Sequence, residues 1–196
     1  MAFELEQELK VLLTEDQFKQ LLLHWQLDNQ QPNIKQHNTY YDTTDSALKE
    51  IDAALRLRNF ETSSVWTIKH RQNEFQSHEY HQTNPTTLIP KHNIEVGAIY
   101  DEQLLRFLSQ NAIKIEDLKQ TYDIKTSRWL IPVSFGEFAL DHSVYSNAED
   151  YELELETTQL IEATTEFKHF IEQFGIQMKQ AETKLSRASK YYKLSY

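Results

Sequence analysis

The chain has 196 residues, with 20 Lys and Arg against 30 Asp and Glu, and its formal charge of −10 argues against nucleic acid or an anionic membrane as partner. It has no cysteine, which excludes disulfides, thiolate zinc sites and Cys nucleophiles, and only Gly97, Gly136 and Gly175, too few for a glycine-rich phosphate loop. No apolar run approaches a membrane-spanning length and the start, Met1-Ala2-Phe3-Glu4-Leu5-Glu6, is acidic rather than signal-like, so a soluble cytoplasmic protein with no membrane partner is expected.

Residues 3–12 alternate, with Phe3, Leu5, Leu9 and Val11 on one side and Glu4, Glu6, Glu8 and Lys10 on the other, which is the period of a strand. Thr14 and Gln17 spell a capping box, and Phe18, Leu21, Leu22 and Trp25 follow at helical spacing, so a helix is expected over 14–26. A strand over 37–42 and a short helical turn near 45–51 come next. Residues 54–59 and 65–71 alternate again, and 75–82 form a further strand around Glu79. The stretch 84–93 carries two prolines and reads as a loop. Residues 101–110 form an amphipathic helix that buries Leu104, Leu105 and Leu108.

Strands resume over 121–131, 133–141 and 151–157, and a helix over 164–174 ends at Gly175. The tail 183–196 reads as a final strand or an irregular segment. About eight strands and three main helices that do not alternate regularly make the fold class α+β, in a single domain over 1–196.

Alternation by itself gives a sheet with one wet face. Here, however, the charges are segregated: Glu6, Glu8 and Lys10 on one strand, Glu152, Glu154 and Glu156 on another, Arg56 with Arg58, Lys69 with Arg71, and Arg128 near Lys125. Like charges about 7 Å apart along one strand face repel. A surface sheet would intersperse the signs. Carboxylate pairs suit hard divalent cations such as Mg²⁺ or Mn²⁺, and arginine and lysine pairs suit phosphoryl oxygens. A closed barrel with these charges inside would bind a metal–polyphosphate complex. The other conspicuous residues have ordinary readings. Histidines such as His24, His70, His78 and His81 lack metal-ligand spacing, the aromatics Phe60, Trp66, Trp129, Phe135 and Phe138 fit the apolar sides of strands, and Tyr191-Tyr192 suits core packing better than base stacking.

Glu6-Gln7-Glu8-Leu9-Lys10 resembles the N-terminal E-x-E-x-K pattern of the CYTH superfamily, the triphosphate tunnel metalloenzymes. The ordered set that follows carries the resemblance across nearly the whole chain, and toward its YjbK-like bacterial branch. It comprises Tyr40-Tyr41-Asp42-Thr43, Ala54-Leu55-Arg56-Leu57-Arg58, Trp66-Thr67-Ile68-Lys69, Glu79, Arg128, Leu140-Asp141, Asp150-Tyr151-Glu152-Leu153-Glu154 and Lys184-Leu185-Ser186-Arg187. The resemblance implies a closed eight-stranded antiparallel β-barrel with flanking helices and a charged tunnel. It also implies a divalent metal, Mg²⁺ or Mn²⁺, and a small-molecule triphosphate substrate, with a homodimer as a family habit. Glu6, Glu8 and Lys10 would then be catalytic, and Glu6 and Glu8 would join Asp141, Glu152 and Glu154 as metal ligands, with Glu79 either a further metal ligand or a residue that orients an arginine. Arg56, Arg58, Lys69, Arg128, Lys184 and Arg187 would hold phosphate oxygens. Of the three glutamates on the last strand, Glu152 and Glu154 are favoured over Glu156. Arg128 is favoured over Lys125, which has the opposite parity, and Arg71 is placed at the rim.

The expected reaction is metal-assisted transfer of a phosphoryl group to water, in which Glu6 or Glu8 orients and deprotonates the water and Lys10 stabilises the departing phosphate. Two alternatives stand beside it. One is a class IV-type adenylyl cyclase making cyclic AMP and pyrophosphate from ATP, and the other is a non-catalytic sensor of polyphosphate or nucleotide. The intact carboxylates favour catalysis over simple anion binding.

Overall fold

A computed structural model describes residues 4–179 and 181–193. Phe3 of the expected first strand, the side chain of Tyr192, and residues 194–196 of the expected final segment lie outside the described residues. The described elements run β1 (Glu4–Leu13), α1 (Glu15–His24), β2 (Ile34–Asp42), α2 (Ala47–Glu50), β3 (Ala53–Asn59), β4 (Ser64–Arg71), β5 (Gln76–Asn84) and α3 (Glu102–Gln110). After a 3-10 turn at Ile115–Asp117 come β6 (Lys119–Val133), β7 (Gly136–Val144), β8 (Glu149–Glu156), α4 (Leu160–Glu172) and α5 (Lys184–Lys193). The strand order β1-β5-β4-β3-β2-β6-β7-β8 closes on itself as an antiparallel barrel. Two compact units share the chain, Met1–Leu5 with Gln36–Ile124 and Glu6–Lys35 with Lys125–Tyr196.

In the first unit, the odd residues of β3 and the even residues of β4 form an apolar face. Leu55, Leu57, Trp66 and Ile68 are buried there with Leu104, Phe107 and Leu108 of α3. Asp101 caps α3, its carboxylate accepting from the backbone N–H of Gln103 and Leu104 at 2.9 and 3.2 Å. Phe107 rather than Leu105 completes the buried stripe; Leu105 is 37% exposed. Asp42 also serves the backbone, since its carboxylate accepts from the N–H groups of Thr43, Leu48 and Lys49 and thereby holds α2. That part of the Tyr40-Tyr41-Asp42-Thr43 motif is architectural.

In the second unit, the apolar faces of β1, β7 and β8 bury Leu9, Val11, Phe138, Leu140, Leu153 and Leu155. They are covered by Phe18 and Leu21 of α1 and by Ala163, Phe167 and Ile171 of α4. The expected capping box opens α1, with Thr14 Oγ1 accepting from Gln17 N–H and Gln17 Oε1 accepting from Thr14 N–H. Phe138 lies 5.9 and 4.9 Å from the rings of Phe167 and Phe170, so one strand residue ties α4 to the sheet. The turn from β6 into β7 needs glycine, because a Cβ on Gly136 would lie 2.2 Å from the carbonyl oxygen of Glu156. Helix α4 begins at Leu160, four residues before the expected start.

The expected final strand or irregular segment is instead helix α5 over Lys184–Lys193. Thr183 starts it, its hydroxyl accepting from Ser186 N–H at 3.1 Å. The sequence conceals this helix because Arg187 is buried beside Ala188 on its inward side, with Lys184 one turn before. Leu185, Ala188 and Tyr192 recur at helical spacing, but the charges of Lys184 and Arg187 mask that stripe.

Candidate active site

With both faces of the strands buried, the side chains opposite the apolar set face a polar interior. In the second unit these are Glu6, Glu8 and Lys10 on β1, Arg128 on β6, Asp141 on β7, and Glu152, Glu154 and Glu156 on β8. Strand register aligns them, pairing Lys10 with Glu154, Glu152 with Asp141, and Asp141 with Arg128. Helix α5 adds Lys184 and Arg187, three residues apart and hence on one helical face.

These groups form one hydrogen-bonded cluster. Arg128 grips Asp141 bidentately, Nε and Nη2 each at 2.8 Å from a carboxylate oxygen, and Nη2 also donates to Glu154. The Lys184 ammonium stands 2.8 Å from Asp141, 2.7 Å from Glu152 and 2.7 Å from Glu154. Arg187 donates from Nη2 to Glu152 at 2.7 Å, from Nε to Asp150 at 2.7 Å, and from Nη1 to the Glu182 carbonyl. Lys10 pairs with Glu8 on the same strand face. Glu152 and Asp141 are fully buried. One oxygen, Glu152 Oε1, is buried without a hydrogen-bond partner among the described residues.

Burial alone would raise the Glu154 pKa, but Lys184, Arg128 and Lys10 outweigh it and hold the carboxyl well below its ordinary value of 4.5. Burial likewise works against the charge on Lys184, yet Asp141, Glu152 and Glu154 keep its pKa well above the ordinary 10.5. The signs fix the pH profile of stability. A lowered carboxylate stabilises the fold above its unfolded pKa, and that contribution disappears as pH falls through the folded value. A raised lysine stabilises below its unfolded pKa, and its contribution disappears as pH rises through the folded value. Urea midpoints are therefore expected to hold from about pH 5 to pH 10 as far as this pair is concerned, and to fall on either side. Glu154→Gln should blunt the acid limb, and an acid limb unchanged in that variant would contradict the pairing.

Lys125 is exposed, opposite Val144, on the outer face of β6. Two residues beyond the expected set join the cluster. Asp150 takes Arg187, and the Tyr145 hydroxyl donates to Asp150 at 2.7 Å, with burial raising the Tyr145 pKa. Only the alternation that puts Asp150 in phase with Glu152 and Glu154 hints at the first, and nothing in the sequence points to Tyr145.

In the first unit, the face of β3, β4 and β5 opposite the apolar core carries Arg56, Arg58, Lys69 and Glu79. Register sets Arg56 against Thr67 and Thr67 against His81, with Lys69 against Glu79. Lys69 Nζ lies 3.4 Å from Glu79, and His81 Nε2 lies 3.3 Å from the other oxygen of that carboxylate. Arg58 Nε donates to Asn38 at 2.9 Å. Arg71 is tied into the β4–β5 turn, donating to the carbonyl of Asn73 at 3.0 Å.

Among the described residues, no three acidic or histidine side chains are spaced as ligands of one metal ion. The oxygens of Asp141, Glu152 and Glu154 converge at ammonium hydrogen-bond lengths of 2.7–2.8 Å, against about 2.0–2.1 Å for Mg²⁺–oxygen bonds. The donor set is nevertheless all carboxylate, and the unpartnered Glu152 Oε1 is a buried acceptor with room in its chemistry for a cation. Their chemistry, though not their present spacing, suits a hard divalent ion.

The CYTH domain model matches residues 4–189, so the chain belongs to the CYTH family, whose members depend on metal. It is 29% identical over 187 residues, 95% of each chain, to YjbK of Bacillus subtilis, provisionally named a triphosphatase. A crystal structure of a Bacillus halodurans protein provisionally named an adenylate cyclase superposes with a TM-score of 0.81 at 30% identity, covering 95% of this chain and 98% of that one. A Hippeastrum protein, HpAC1, superposes with a TM-score of 0.72 at 20% identity over 95% of each chain; it was named an adenylyl cyclase and reported to have a dominant triphosphatase activity. No helix among the described residues is long and apolar enough to cross a membrane.

Proposed function

We propose that this chain, acting as a single CYTH domain, hydrolyses inorganic triphosphate or a small organic triphosphate with the help of Mg²⁺ or Mn²⁺. The observation that carries this reading is the buried cluster of alternating sign in the second unit, in a member of a family with named triphosphatases. A plain anion binder gains nothing from burying Asp141, Glu152 and Glu154, because carboxylates repel phosphate.

Asp141, Glu152 and Glu154 would hold the metal, with Glu6 and Glu8 of the same unit as further oxygen donors. Once bound, the ion supplies a positive charge against which negative charge on phosphoryl oxygens develops at lower cost. Arg128 in the second unit, and Arg56, Arg58 and Lys69 on the charged face of the first, are the phosphate-binding side chains, arginine through its two-pronged fork. Glu8 or Glu6 accepts a proton from the attacking water. Lys10, now held by Glu8, turns its ammonium to the departing phosphate. No Ser, Cys or His nucleophile takes part.

Cyclisation of ATP is the competing reaction. It would require a positioned ribose 3′-hydroxyl in place of water. Incubation with ATP and Mn²⁺ separates the two: hydrolysis gives phosphate and ADP, whereas cyclic AMP with pyrophosphate would overturn the hydrolase reading.

A further inference from the structure

The ammonium of Lys184 stands where three carboxylates meet, and its three protons match the three oxygens at 2.7–2.8 Å. We infer that Lys184 is a resident cation of the carboxylate cluster. It keeps free divalent metal out and yields the site only when metal arrives together with a polyphosphate. This rests on the proposed metal and triphosphate chemistry of the same cluster and adds an order of events to it.

Occupancy and bond length both support the inference. Six carboxylates (Glu8, Asp141, Asp150, Glu152, Glu154 and Glu156) meet four cations (Lys10, Arg128, Lys184 and Arg187), which leaves the cluster with two formal negative charges. A divalent ion added alone must take oxygens that the Lys184 ammonium already holds, and two cations sharing those buried carboxylates repel. A triphosphate, carrying roughly −4 to −5 with phosphate pKa values near 6, offers the displaced ammonium new acceptors. The three oxygens are also spaced for N–H···O bonds, and must close in to hold a metal.

Lys184 is the member best built to leave. Arg128 and Arg187 are fixed by forked contacts to Asp141 and Asp150. A lysine instead presents a point charge on a flexible four-carbon stem, and can exchange a carboxylate oxygen for a phosphate oxygen without moving its backbone.

The test is equilibrium dialysis of Mn²⁺ against the full chain, alone and with an imido-bridged triphosphate analogue that resists hydrolysis. The unaltered protein should bind Mn²⁺ alone weakly, and at least tenfold more tightly with the analogue. Lys184→Met and Lys184→Gln should each bind Mn²⁺ alone at least tenfold more tightly than the unaltered protein, and adding Asp141→Asn should remove that gain. Should neither variant fold, the comparison of Mn²⁺ with and without analogue on the unaltered protein decides alone. Equal affinity for Mn²⁺ with and without analogue, or no gain in folded Lys184 variants, would overturn the inference. Hydrolysis is scored separately: tighter Mn²⁺ binding by the variants in a protein that hydrolyses no triphosphate would sink the triphosphatase reading and leave the role of Lys184 standing. Intact hydrolysis with no such gain would do the reverse.

Discussion

Arg128→Met is expected to lower the thermal midpoint at pH 7 by roughly 6–20 °C. Removing one partner from a buried ion cluster costs about 3–5 kcal/mol, and a chain of this length loses about 2–4 °C per kcal/mol. The Arg128 side chain is 12% exposed, and the carboxylates it serves, Asp141 and Glu154, are 0% and 8% exposed. Methionine replaces the volume but leaves those two carboxylates with Lys184 as their main remaining cation. Lys125→Met, three residues away on the exposed face, should stay within about 0.5 kcal/mol of the unaltered protein. Calorimetry of the two variants measures the difference, and equal midpoints would mean that the Arg128 cluster does not hold the fold together.

Glu8→Gln is expected to leave the barrel folded and to slow triphosphate hydrolysis by about 10²–10³-fold, the usual scale for losing a positioned general base. Glutamine keeps the shape and can still face Lys10, but it neither accepts a proton from water nor adds negative charge for a metal. The loss should fall on kcat. A rise in KM with unchanged kcat would reassign Glu8 to ground-state binding, and full activity would remove it from the chemistry.

Much of the fold was legible because the strands obey a period of two on both faces. The Glu6, Glu8, Lys10 series alternates with Gln7, Leu9 and Val11, and the Glu152, Glu154, Glu156 series with Leu153 and Leu155. A strand buried on both sides usually reads as a continuous apolar run. Here the second buried face is charged, so the pattern looks like an ordinary surface sheet until the segregation of sign is noticed. Where a buried surface lacked an apolar signature, the reading failed. Helix α5 turns Arg187 inward beside Ala188, so its marks, Thr183 at the cap and Leu185, Ala188 and Tyr192 at helical spacing, are masked by charge. On α3 the periodicity admits either Leu105 or Phe107, and packing selects the ring. Hydrogen-bond partners are less legible still. That Arg187 spends its guanidinium on Asp150, Glu152 and the Glu182 carbonyl depends on the register between a helix and a strand more than 30 residues apart in sequence.

The most direct test of the triphosphatase assignment is release of phosphate from inorganic triphosphate, followed continuously with Mn²⁺ present, then after chelation, then after the metal is restored. Metal-dependent hydrolysis by the carboxylate cluster predicts steady release of phosphate with diphosphate as co-product, arrest on chelation, and recovery with added Mn²⁺. Binding of triphosphate without any release of phosphate, or release that continues undiminished without metal, would contradict it.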